Sequence, residues 1–463
     1  MQYRQFHERE RMPFDPPNET TYICPGETHT ISRSVHLARM AAFYPACRDC
    51  PFRSETGHLP QDTIDRLQQT ERRAVPCDLF NDEGVRGVYL NELTRRQAEL
   101  IAAAFASVLW SRSPLVGRMV ESAADGANSN RSVNPSIVVG YDDRPSAPDI
   151  FSGAVQGLRR MSCDVLDIGL TAKPALQFAV EQFNAVGGLL VTGAGCDPSR
   201  IGMDFVGTDG TPISRSRSDW ESITLADIEH AVRDPYHRPT RNAGVQSACR
   251  ISDEYTTGLS NLFPVLAPFT VVVGCSVPMM MRTLASIFDE RSYRFVSVNI
   301  PRRVRDVNEI TDSDVARVAE AVHESQADLG ILIDDDGGRC SFITEGGELL
   351  SAWTLLPLLV ESLQTEVPRR PVVLEPHTPT EVEPQLIRQG ISWVRGGGSH
   401  AEMAQAMRDH NAVLGGGESG RVWIANPSPT CDAIGVLAHV LTVLSRHQMS
   451  LSRLVEMTGT LKA

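Results

Sequence analysis

The sequence of 463 residues lacks several features that mark particular classes of protein. It has no apolar run of the roughly 18 residues that a membrane-spanning helix needs. The stretch from Met1 to Glu8 lacks the apolar core of a secretory signal peptide, which favours the cytoplasm. The chain also lacks an excess of positive charge, because its net charge is −13 and nucleic acid repels an acidic protein. We therefore expect a soluble, cytoplasmic protein that binds neither membranes nor nucleic acid.

The sequence does contain enough apolar material for several packed domains. Hydrophobic residues make up 41% and charged residues 22%, a balance typical of folded proteins. The length corresponds to about three domains at roughly 150 residues each. Ten cysteines are present, but a reducing compartment argues against a disulfide scaffold. Six scattered ones are interpreted as small buried apolar residues, namely Cys163, Cys196, Cys249, Cys275, Cys340 and Cys431.

Short apolar runs alternate with amphipathic stretches in three successive units, and this alternation predicts the fold class. Such runs are typical of buried parallel strands, and the stretches between them are typical of helices. The predicted strands are 137–140, 165–168, 188–191, 271–273, 295–298, 329–333, 372–374, 393–394 and 413–414. The predicted fold is thus α/β, with three tandem similar α/β domains. We expect these domains at 78–243, 244–365 and 366–463, after a cysteine-containing, irregular N-terminal segment at 1–77.

The segment over residues 1–77 is rich in cysteine and proline and has little periodicity. Cys47 and Cys50 have the spacing of metal ligands. Further ligands would be Cys24 and Cys77, with His29, His36 and His58 as alternatives. Zinc suits such a set, and an iron–sulfur cluster is the alternative because Pro51 follows Cys50. A segment this short has little else to hold it folded, which favours bound metal over unligated thiols.

From about Phe80 to Ser445 the chain resembles the α-D-phosphohexomutases, the phosphomannomutase/phosphoglucomutase superfamily. The resemblance rests on Phe80-Asn81-Asp82-Glu83-Gly84-Val85-Arg86-Gly87, on Gly140-Tyr141-Asp142-Asp143-Arg144-Pro145-Ser146 and on Asp204-Phe205-Val206-Gly207-Thr208-Asp209-Gly210. The first stretch is similar to the family's Phe-Gly-Thr-Asp-Gly-Ile-Arg-Gly, and the second to its Gly-Arg-Asp-Thr-Arg-x-Ser. The resemblance implies mutase chemistry on hexose phosphates, and Arg86 and Arg144 become candidate substrate-binding residues.

The family's nucleophile loop reads Val-Thr-Ala-Ser-His-Asn-Pro and ends several residues later in Asn-Gly-x-Lys. The resemblance implies that its serine carries the phosphoryl group. Gapless alignment puts Ala194 at the serine, Gly195 at the histidine and Asp204 at the lysine. A methyl group cannot accept a phosphoryl group, and the general acid/base candidate is also replaced. Cys196 and Ser199 are weak substitutes, because a shift of one residue misplaces a nucleophile by about 3 Å.

The family's metal loop reads Asp-Gly-Asp-x-Asp-Arg, and the resemblance implies three carboxylates around Mg²⁺. Asp334, Asp336 and Arg339 match this pattern. Gly338 replaces the third carboxylate, however, and Asp335 stands where glycine is usual. Weakened binding of Mg²⁺ by Asp334, Asp336 and Asp335 is one interpretation, and an acidic turn neutralised by arginine is the other.

The family's sugar loop reads Gly-Glu-x-Ser-Gly, and the resemblance implies that its acid and its serine bind sugar hydroxyls. Here Ser419 matches, but the acid is one place late at Glu418 and the expected acid falls on Gly417. A neighbouring glycine-rich turn resembles the family's recognition turn. The candidate substrate-binding residues of the two turns are Glu418, Ser419, Arg421, Arg395, Ser399 and His400. The alternative is that both turns bind nothing.

The family's fourth domain carries an Arg-x-Ser-x-Thr loop that grips the nonreacting phosphate, and we expect this chain to lack it. Together with Ala194 and Gly338, this predicts a degenerate phosphohexomutase that binds a sugar phosphate, or acts as a scaffold or sensor, without phosphoryl transfer. The alternative is an active mutase with an unconventional nucleophile or a domain supplied by a partner. A protein partner or a homo-oligomer is compatible with both hypotheses.

Overall fold

The computed structural model describes two units of the chain. The described residues are 21–24, 28–42, 44, 47, 50–69, 79–112, 134–215, 222–233, 242–264, 268–291, 293–300, 312–363, 370–425 and 428–458. One unit consists of Met1–Pro76 with Leu90–Glu92, and the other of Cys77–Tyr89 with Leu93–Ala463.

The described residues of the smaller unit form two short strands and two helices. They are β1 (Thr21–Ile23), β2 (Thr30–Ser32), α1 (Arg33–Ala41) and α2 (Gln61–Gln69). The strands pair antiparallel, and the Ser32 hydroxyl caps α1 by accepting from the Val35 amide. Its apolar cluster holds Tyr22, Cys24 and Ile31 with Phe52 packed against them. So small a cluster contributes little burial.

Three sheets form the framework of the larger unit. The first contains β3 (Val85–Val88), β4 (Ser136–Tyr141), β5 (Asp164–Leu170), β6 (Gly187–Thr192), β7 (Arg200–Val206) and β8 (Gln246–Ala248). The second contains β9 (Thr270–Cys275), β10 (Arg294–Asn299), β11 (Leu329–Ile333), β12 (Cys340–Thr344) and β13 (Leu349–Leu350). The third contains β14 (Val372–Leu374), β15 (Trp393–Arg395), β16 (Leu414–Gly416), β17 (Val422–Ala425) and β18 (Pro429–Cys431).

The same order of four strands recurs in all three sheets when the first sheet, which has an additional strand at each edge of these four, is read from its other edge. Their orders are β3-β7-β6-β4-β5-β8, β10-β9-β11-β12-β13 and β15-β14-β16-β17-β18. In each, three neighbouring strands run parallel and a fourth pairs antiparallel with the third. This recurrence confirms the prediction of three tandem similar α/β units.

The larger unit also contains helices, some of which connect the parallel strands. They are α3 (Arg95–Arg112), α4 (Ala147–Arg160), α5 (Lys173–Gln182), α6 (Leu225–Arg233), α7 (Ser252–Ser260), α8 (Pro278–Arg291), α9 (Asp312–Ser325), α10 (Leu356–Leu363), α11 (Glu383–Arg388), α12 (His400–Asp409), α13 (Ala433–His447) and α14 (Leu451–Thr458). None of the helices among the described residues is long and apolar enough to cross a membrane.

Helix caps and apolar strands follow directly from the local sequence. Before α3, the Thr94 amide donates to the Gln97 side chain and the Gln97 amide donates to the Thr94 hydroxyl, which makes a capping box. All five residues of β11 are buried, as expected of a parallel strand with helices on both faces.

The turn after the third parallel strand has the same geometry in each sheet. A glycine with left-handed φ lies in each of these turns, namely Gly195 (77°), Gly337 (78°) and Gly420 (78°). Only glycine adopts such backbone angles without strain, so the tight turn into the antiparallel strand depends on it. The residues that precede these glycines are Ala194, Asp336 and Ser419. Each of the three site loops of the sequence analysis therefore occupies the equivalent position of its own sheet.

Candidate active site

The three equivalent turns lie together, as their hydrogen bonds show. The Gly195 amide donates to the carboxylate of Asp335 at 3.1 Å, which joins the first turn to the second. The Cys340 amide donates to the Gly420 carbonyl at 3.0 Å, which joins the second turn to the third. The repeated topology thus brings one functional loop from each sheet to one place. We call the residues of these turns and their ion partners the central site.

The first turn presents a methyl group where the resemblance places a nucleophile. Ala194 lines a small cavity with Thr192, Lys173 and Asp335. The Thr192 hydroxyl donates to Asp142 Oδ2 at 3.0 Å and accepts from the Ala194 amide at 3.0 Å. Its hydrogen bonds therefore direct this hydroxyl into the turn. The cavity measures about 10 Å³, room for about one water molecule.

The two substitute nucleophiles named from the sequence are elsewhere on the same loop. The Ser199 hydroxyl donates to the carboxylate of Asp197 on an exposed part of the turn. Cys196 is half-buried, and its carbonyl accepts from Arg144 Nη2 at 3.0 Å. Neither of them is among the residues that line the cavity beside Ala194.

The guanidinium of Arg144 binds backbone carbonyls of this loop. Its Nη1 donates to the carbonyls of Asp197 at 2.8 Å and Arg200 at 3.0 Å, and its side chain is 3% exposed. Nη2 lies 3.7 Å from Asp335 Oδ2. The guanidinium of Arg144 is therefore bonded to groups of the protein itself. That Arg144 also contacts a substrate stays a prediction.

A buried ion triad lies behind the turn. Asp204 on β7 is 2% exposed, and its Oδ1 accepts from Arg86 Nη1 at 2.6 Å. Its Oδ2 lies 2.8 Å from Lys173 Nζ, at the beginning of α5. The aspartate at the position of the family's lysine thus faces a lysine from another element. Arg86 is used in this triad, and a contact with substrate likewise stays a prediction.

Arg421 connects the third turn to the first sheet and to the acidic turn. Its Nη1 and Nη2 donate to Glu83 Oε1 and Oε2 at 2.9 and 2.7 Å, a bidentate pair. Nη2 also lies 3.9 Å from Asp336 Oδ2. Burial alone would raise the pKa of Glu83, but Arg421 and Lys173 outweigh it and lower that pKa to about 2.

Each carboxylate of the acidic turn faces a different cation. Asp334 Oδ2 lies 4.0 Å from Arg339 Nη1. Burial would raise the pKa of Asp336, but the charges of Lys173, Arg421 and Arg339 lower it to about 2. Burial and the neighbouring Asp334 raise the pKa of Asp335 to about 8, although the Gly195 amide acts in the opposite direction. The turn is therefore neutralised by basic side chains and, at Asp335, by a retained proton.

This donor set does not fit a magnesium ion. Mg²⁺ requires near-octahedral oxygen ligands at about 2.0–2.1 Å. Within the described parts of the chain, no group of three or more His, Cys, Asp or Glu side chains is placed to hold a metal ion. A Cβ added at Gly338 would also lie 3.3 Å from Asp336 Oδ1, a tight contact with an acid of the same turn. The interpretation of an arginine-neutralised acidic turn fits this geometry better than weakened Mg²⁺ binding.

The carboxylate beside the sugar loop comes from another strand. Glu375, which follows β14, accepts from the Ser419 amide at 2.9 Å and also from the Ser419 hydroxyl. A Cβ at Gly417 would lie 2.8 Å from Glu375 Oε2 and 2.1 Å from Thr378 Oγ1, so glycine is required there. Glu418 is exposed. Glu375, which the sequence analysis missed, thus occupies the place next to the loop where an acid was expected.

The second glycine-rich turn is held by its own side chains. Arg395 Nη1 donates to the carbonyls of Glu375 and Thr378 at 3.1 and 2.8 Å, and Nη2 pairs with Glu383. The Ser399 hydroxyl accepts from the Glu402 amide and completes a capping box at the start of α12. Their role in binding a ligand stays a prediction.

His400 is among the most buried of the predicted ligand residues. It is 5% exposed, packs edge-on against Trp423, and its Nε2 has no hydrogen-bond partner among the described residues. Burial lowers its pKa well below the usual value, and the charges of Arg421 and Lys173 act in the same direction. The imidazole is therefore neutral at physiological pH and is near the cations of the central site.

The N-terminal thiols are buried but not arranged as a metal site by the residues described. Cys24, Cys47 and Cys50 are 3%, 4% and 8% exposed, and the Cys24 sulfur accepts from Arg39 Nη1. Burial, with the nearby Cys50 and Cys24, raises the pKa of Cys47 to about 11. Cys77 lies outside the described residues, as do the other residues from 70 to 78. Zinc or an iron–sulfur cluster stays a prediction that metal analysis would test.

Two models of one protein family match the larger unit. "Phosphoglucomutase/phosphomannomutase, alpha/beta/alpha domain I" matches residues 78–224, and domain III of the same family matches residues 354–460. The chain belongs to the α-D-phosphohexomutase superfamily.

Relatives and solved structures agree with this assignment. A phosphoglucomutase/phosphomannomutase of Thermococcus kodakarensis is 26% identical over 390 residues, covering 82% of this chain and 79% of the relative. A phosphoglucosamine mutase of Syntrophomonas wolfei is 24% identical, covering 81% of each chain. The structure of a family protein from Burkholderia thailandensis superposes with a TM-score of 0.69 at 20% identity, covering 84% of this chain and 81% of the other. A putative phosphomannomutase from Thermus thermophilus gives 0.67 at 18%, covering 82% of both. These likenesses show the phosphohexomutase fold.

Proposed function

We propose that this phosphohexomutase-fold protein binds a hexose phosphate and does not transfer its phosphoryl group. Its role is then that of a sugar-phosphate-binding scaffold or sensor, in a reducing, cytoplasmic setting. The observation that carries the proposal is the methyl group of Ala194 in the turn after β6, at the position that the family gives to its phosphorylated serine.

The surroundings of Ala194 support a site without phosphoryl transfer. Transfer requires a nucleophile placed in line with the phosphorus atom and cations that neutralise the developing charge. The Thr192 hydroxyl, which lines the cavity, is bonded to Asp142 and to the Ala194 amide. The cations of the central site are paired with carboxylates of the protein. A replaced nucleophile and internally paired cations both favour a protein that does not carry out the mutase reaction.

Binding of a sugar is supported by the third sheet. Glu375 and Ser419 form a hydrogen-bonded carboxylate and hydroxyl pair at the end of two parallel strands, where ligands of α/β proteins bind. A carboxylate oxygen can accept more than one hydrogen bond, so Glu375 retains acceptor capacity for sugar hydroxyls. Glu375 is only half-buried, which leaves it within reach of a ligand.

The proposal is tested by separating binding from turnover. Glucose 1-phosphate, glucose 6-phosphate and mannose 1-phosphate are titrated against the protein by calorimetry. The same samples are assayed for interconversion of the 1- and 6-phosphates with glucose 1,6-bisphosphate as primer, beside an active phosphoglucomutase. We expect saturable binding of at least one ester and interconversion no faster than in a protein-free control. Turnover above that control would support the alternative of an active mutase, and absence of binding would remove the sugar-phosphate role.

A further inference from the structure

Lys173 occupies an unusual place for a lysine. Lys173 is the first residue of α5 and is 6% exposed. It lines the cavity together with Asp335 and Asp336. Nζ lies 2.8 Å from Asp204 Oδ2. The chain has 44 basic residues, of which only Lys173 and Lys462 are lysines. An ammonium is a compact point charge, whereas the guanidinium of arginine is broad and planar. A buried position of the central site thus holds the most compact cation available to a side chain.

Acidic groups from two sheets line the same cavity as this cation. Asp204 comes from β7 of the first sheet, and Asp336 comes from the turn after β11 of the second. Both carboxylates are strongly buried, with side chains 2% and 11% exposed. Two buried carboxylates without a counter-charge would be severely unfavourable, so a positive charge between the sheets is a structural requirement.

Arg421 supplies the second positive charge from the third sheet. Its Nη2 lies 3.9 Å from Asp336 Oδ2, and the same guanidinium holds Glu83. Asp334 and Asp335, the other acids of the turn, face Arg339 and Arg144 respectively. A divalent ion entering here would meet these cations as well as the acids, and their repulsion would oppose its binding.

We propose that the ammonium of Lys173, together with Arg421, takes the place of a divalent cation at the acidic turn. The turn then keeps its acids as ion-pair partners that hold the sheets together, and the protein is independent of Mg²⁺. This inference concerns the fold's own charges and does not depend on whether the protein binds a sugar phosphate.

The first arm of the test measures the wild-type full-length protein. Thermal unfolding is followed with MgCl₂, with EDTA and with NaCl at matched ionic strength, and Mg²⁺ is titrated by calorimetry. We expect the same Tm in MgCl₂ as in the matched NaCl, no change with EDTA and no saturable heat. A saturable Mg²⁺-dependent rise in Tm that Asp336→Asn abolishes would overturn the proposal.

The second arm removes the ammonium. Lys173→Ala removes the ammonium that pairs with Asp204 and lines the cavity with Asp336, so its Tm falls below that of the wild type. We expect MgCl₂ to restore part of this loss saturably, beyond the effect of matched NaCl. The double variant Lys173→Ala/Asp336→Asn should show no such restoration, and Arg453→Met, which removes an exposed charge, should behave as the wild type. A folded Lys173→Ala protein that responds to Mg²⁺ no more than the wild type would contradict the proposal.

A folding failure of Lys173→Ala is also informative. The variant is then refolded with and without MgCl₂. Folding only in the presence of Mg²⁺ supports the proposal. If the variant folds in neither condition, the wild-type arm with its Asp336→Asn control decides, because a saturable Mg²⁺ site there contradicts a lysine that already fills it.

Discussion

Ala194 presents a methyl group at the position where the family resemblance places the phosphorylated serine. Ala194 lines the small cavity, and the hydroxyls of Thr192 and Ser199 are hydrogen-bonded to Asp142 and Asp197. The sequence predicted that the nucleophile is replaced, because Ala194 lies inside a motif that can be aligned position by position. It did not predict the environment of that methyl group, because this environment is built from side chains that are distant in the sequence.

Lys173 and Glu375 show why part of the site escaped prediction. Each stands outside the motif whose charge it balances or replaces, and each comes from a different element of the fold. A motif aligned position by position reports a lost lysine at Asp204 and a lost acid at Gly417. Only the three-dimensional arrangement shows a lysine and an acid beside these positions.

Glu375 rather than Glu418 is expected to contribute to ligand binding. Glu375→Ala removes a carboxylate that holds Ser419, so hexose phosphate affinity should fall about tenfold, or about 1.4 kcal/mol. Glu418→Ala, which changes an exposed side chain, is the matched control and should bind as the wild type does. Calorimetric titration of both variants checks this. A loss confined to Glu418→Ala would show that the acid of the loop itself is the ligand.

The raised pKa of Asp335 predicts a particular pH dependence of stability. The folded protein keeps the proton up to about pH 8, whereas the unfolded chain releases it near its usual pKa of about 4. Stability should therefore fall as the pH rises between these values and level off above them. Asp335→Asn removes this titration and should be more stable than the wild type by more than about 1 kcal/mol at pH 8, with a smaller gain toward pH 4.

Urea unfolding across this pH range measures the effect. The control is Asp143→Asn, which changes an exposed aspartate lining the same cavity. A wild-type protein whose stability rises through this range relative to Asp335→Asn would show that Asp335 is ionised in the fold.

At the scale of elements, the parallel strands and their helices were predictable and the antiparallel strands were not. β11 and β14 match their predicted residues, because continuous apolar runs are typical of strands buried on both faces. β7 and β12 were missed. The sequence of β7 includes Arg200 and Asp204, which form ion pairs, and Gly202, which lies close to the backbone of β3. These residues break the apolar pattern by which a buried strand is predicted.

The start of α12 tests whether Ser399 is a cap or a ligand. Its hydroxyl accepts from the Glu402 amide at 3.2 Å, and the Glu402 carboxylate accepts from the Ser399 amide at 3.1 Å. Ser399→Ala should therefore cost about 1 kcal/mol of stability and leave hexose phosphate affinity unchanged. Urea unfolding and calorimetry give the two numbers. Weaker binding at unchanged stability would assign Ser399 to the ligand instead.

At the scale of the whole larger unit, charged side chains join the three repeated domains. Arg421 from the third sheet holds Glu83 before the first and approaches Asp336 after β11 of the second. Arg408 on α12 also reaches Asp209, but that pair is far more exposed. We therefore expect the buried contacts of Arg421 to contribute more to the stability of the larger unit than the exposed pair of Arg408 and Asp209.

Arg421→Met is expected to destabilise the larger unit by about 3 kcal/mol at neutral pH, because it leaves buried carboxylates without a partner. Arg408→Met breaks the exposed pair and should cost under about 1 kcal/mol. The effect of Arg421→Met should shrink as the pH falls toward 2, since Glu83 and Asp336 lose their charge only there. Urea unfolding compares the two variants, and equal losses would contradict a dominant role for the buried network.

The account as a whole depends on the absence of phosphoryl transfer to the protein. The most direct measurement incubates the wild type with glucose 1,6-bisphosphate and searches the intact chain and its peptides for a phosphoryl group by mass spectrometry. Our proposal predicts unmodified protein throughout, beside an active phosphoglucomutase that is labelled under the same conditions. A phosphoryl group on any residue of this chain, formed together with interconversion of the hexose phosphates, would contradict it.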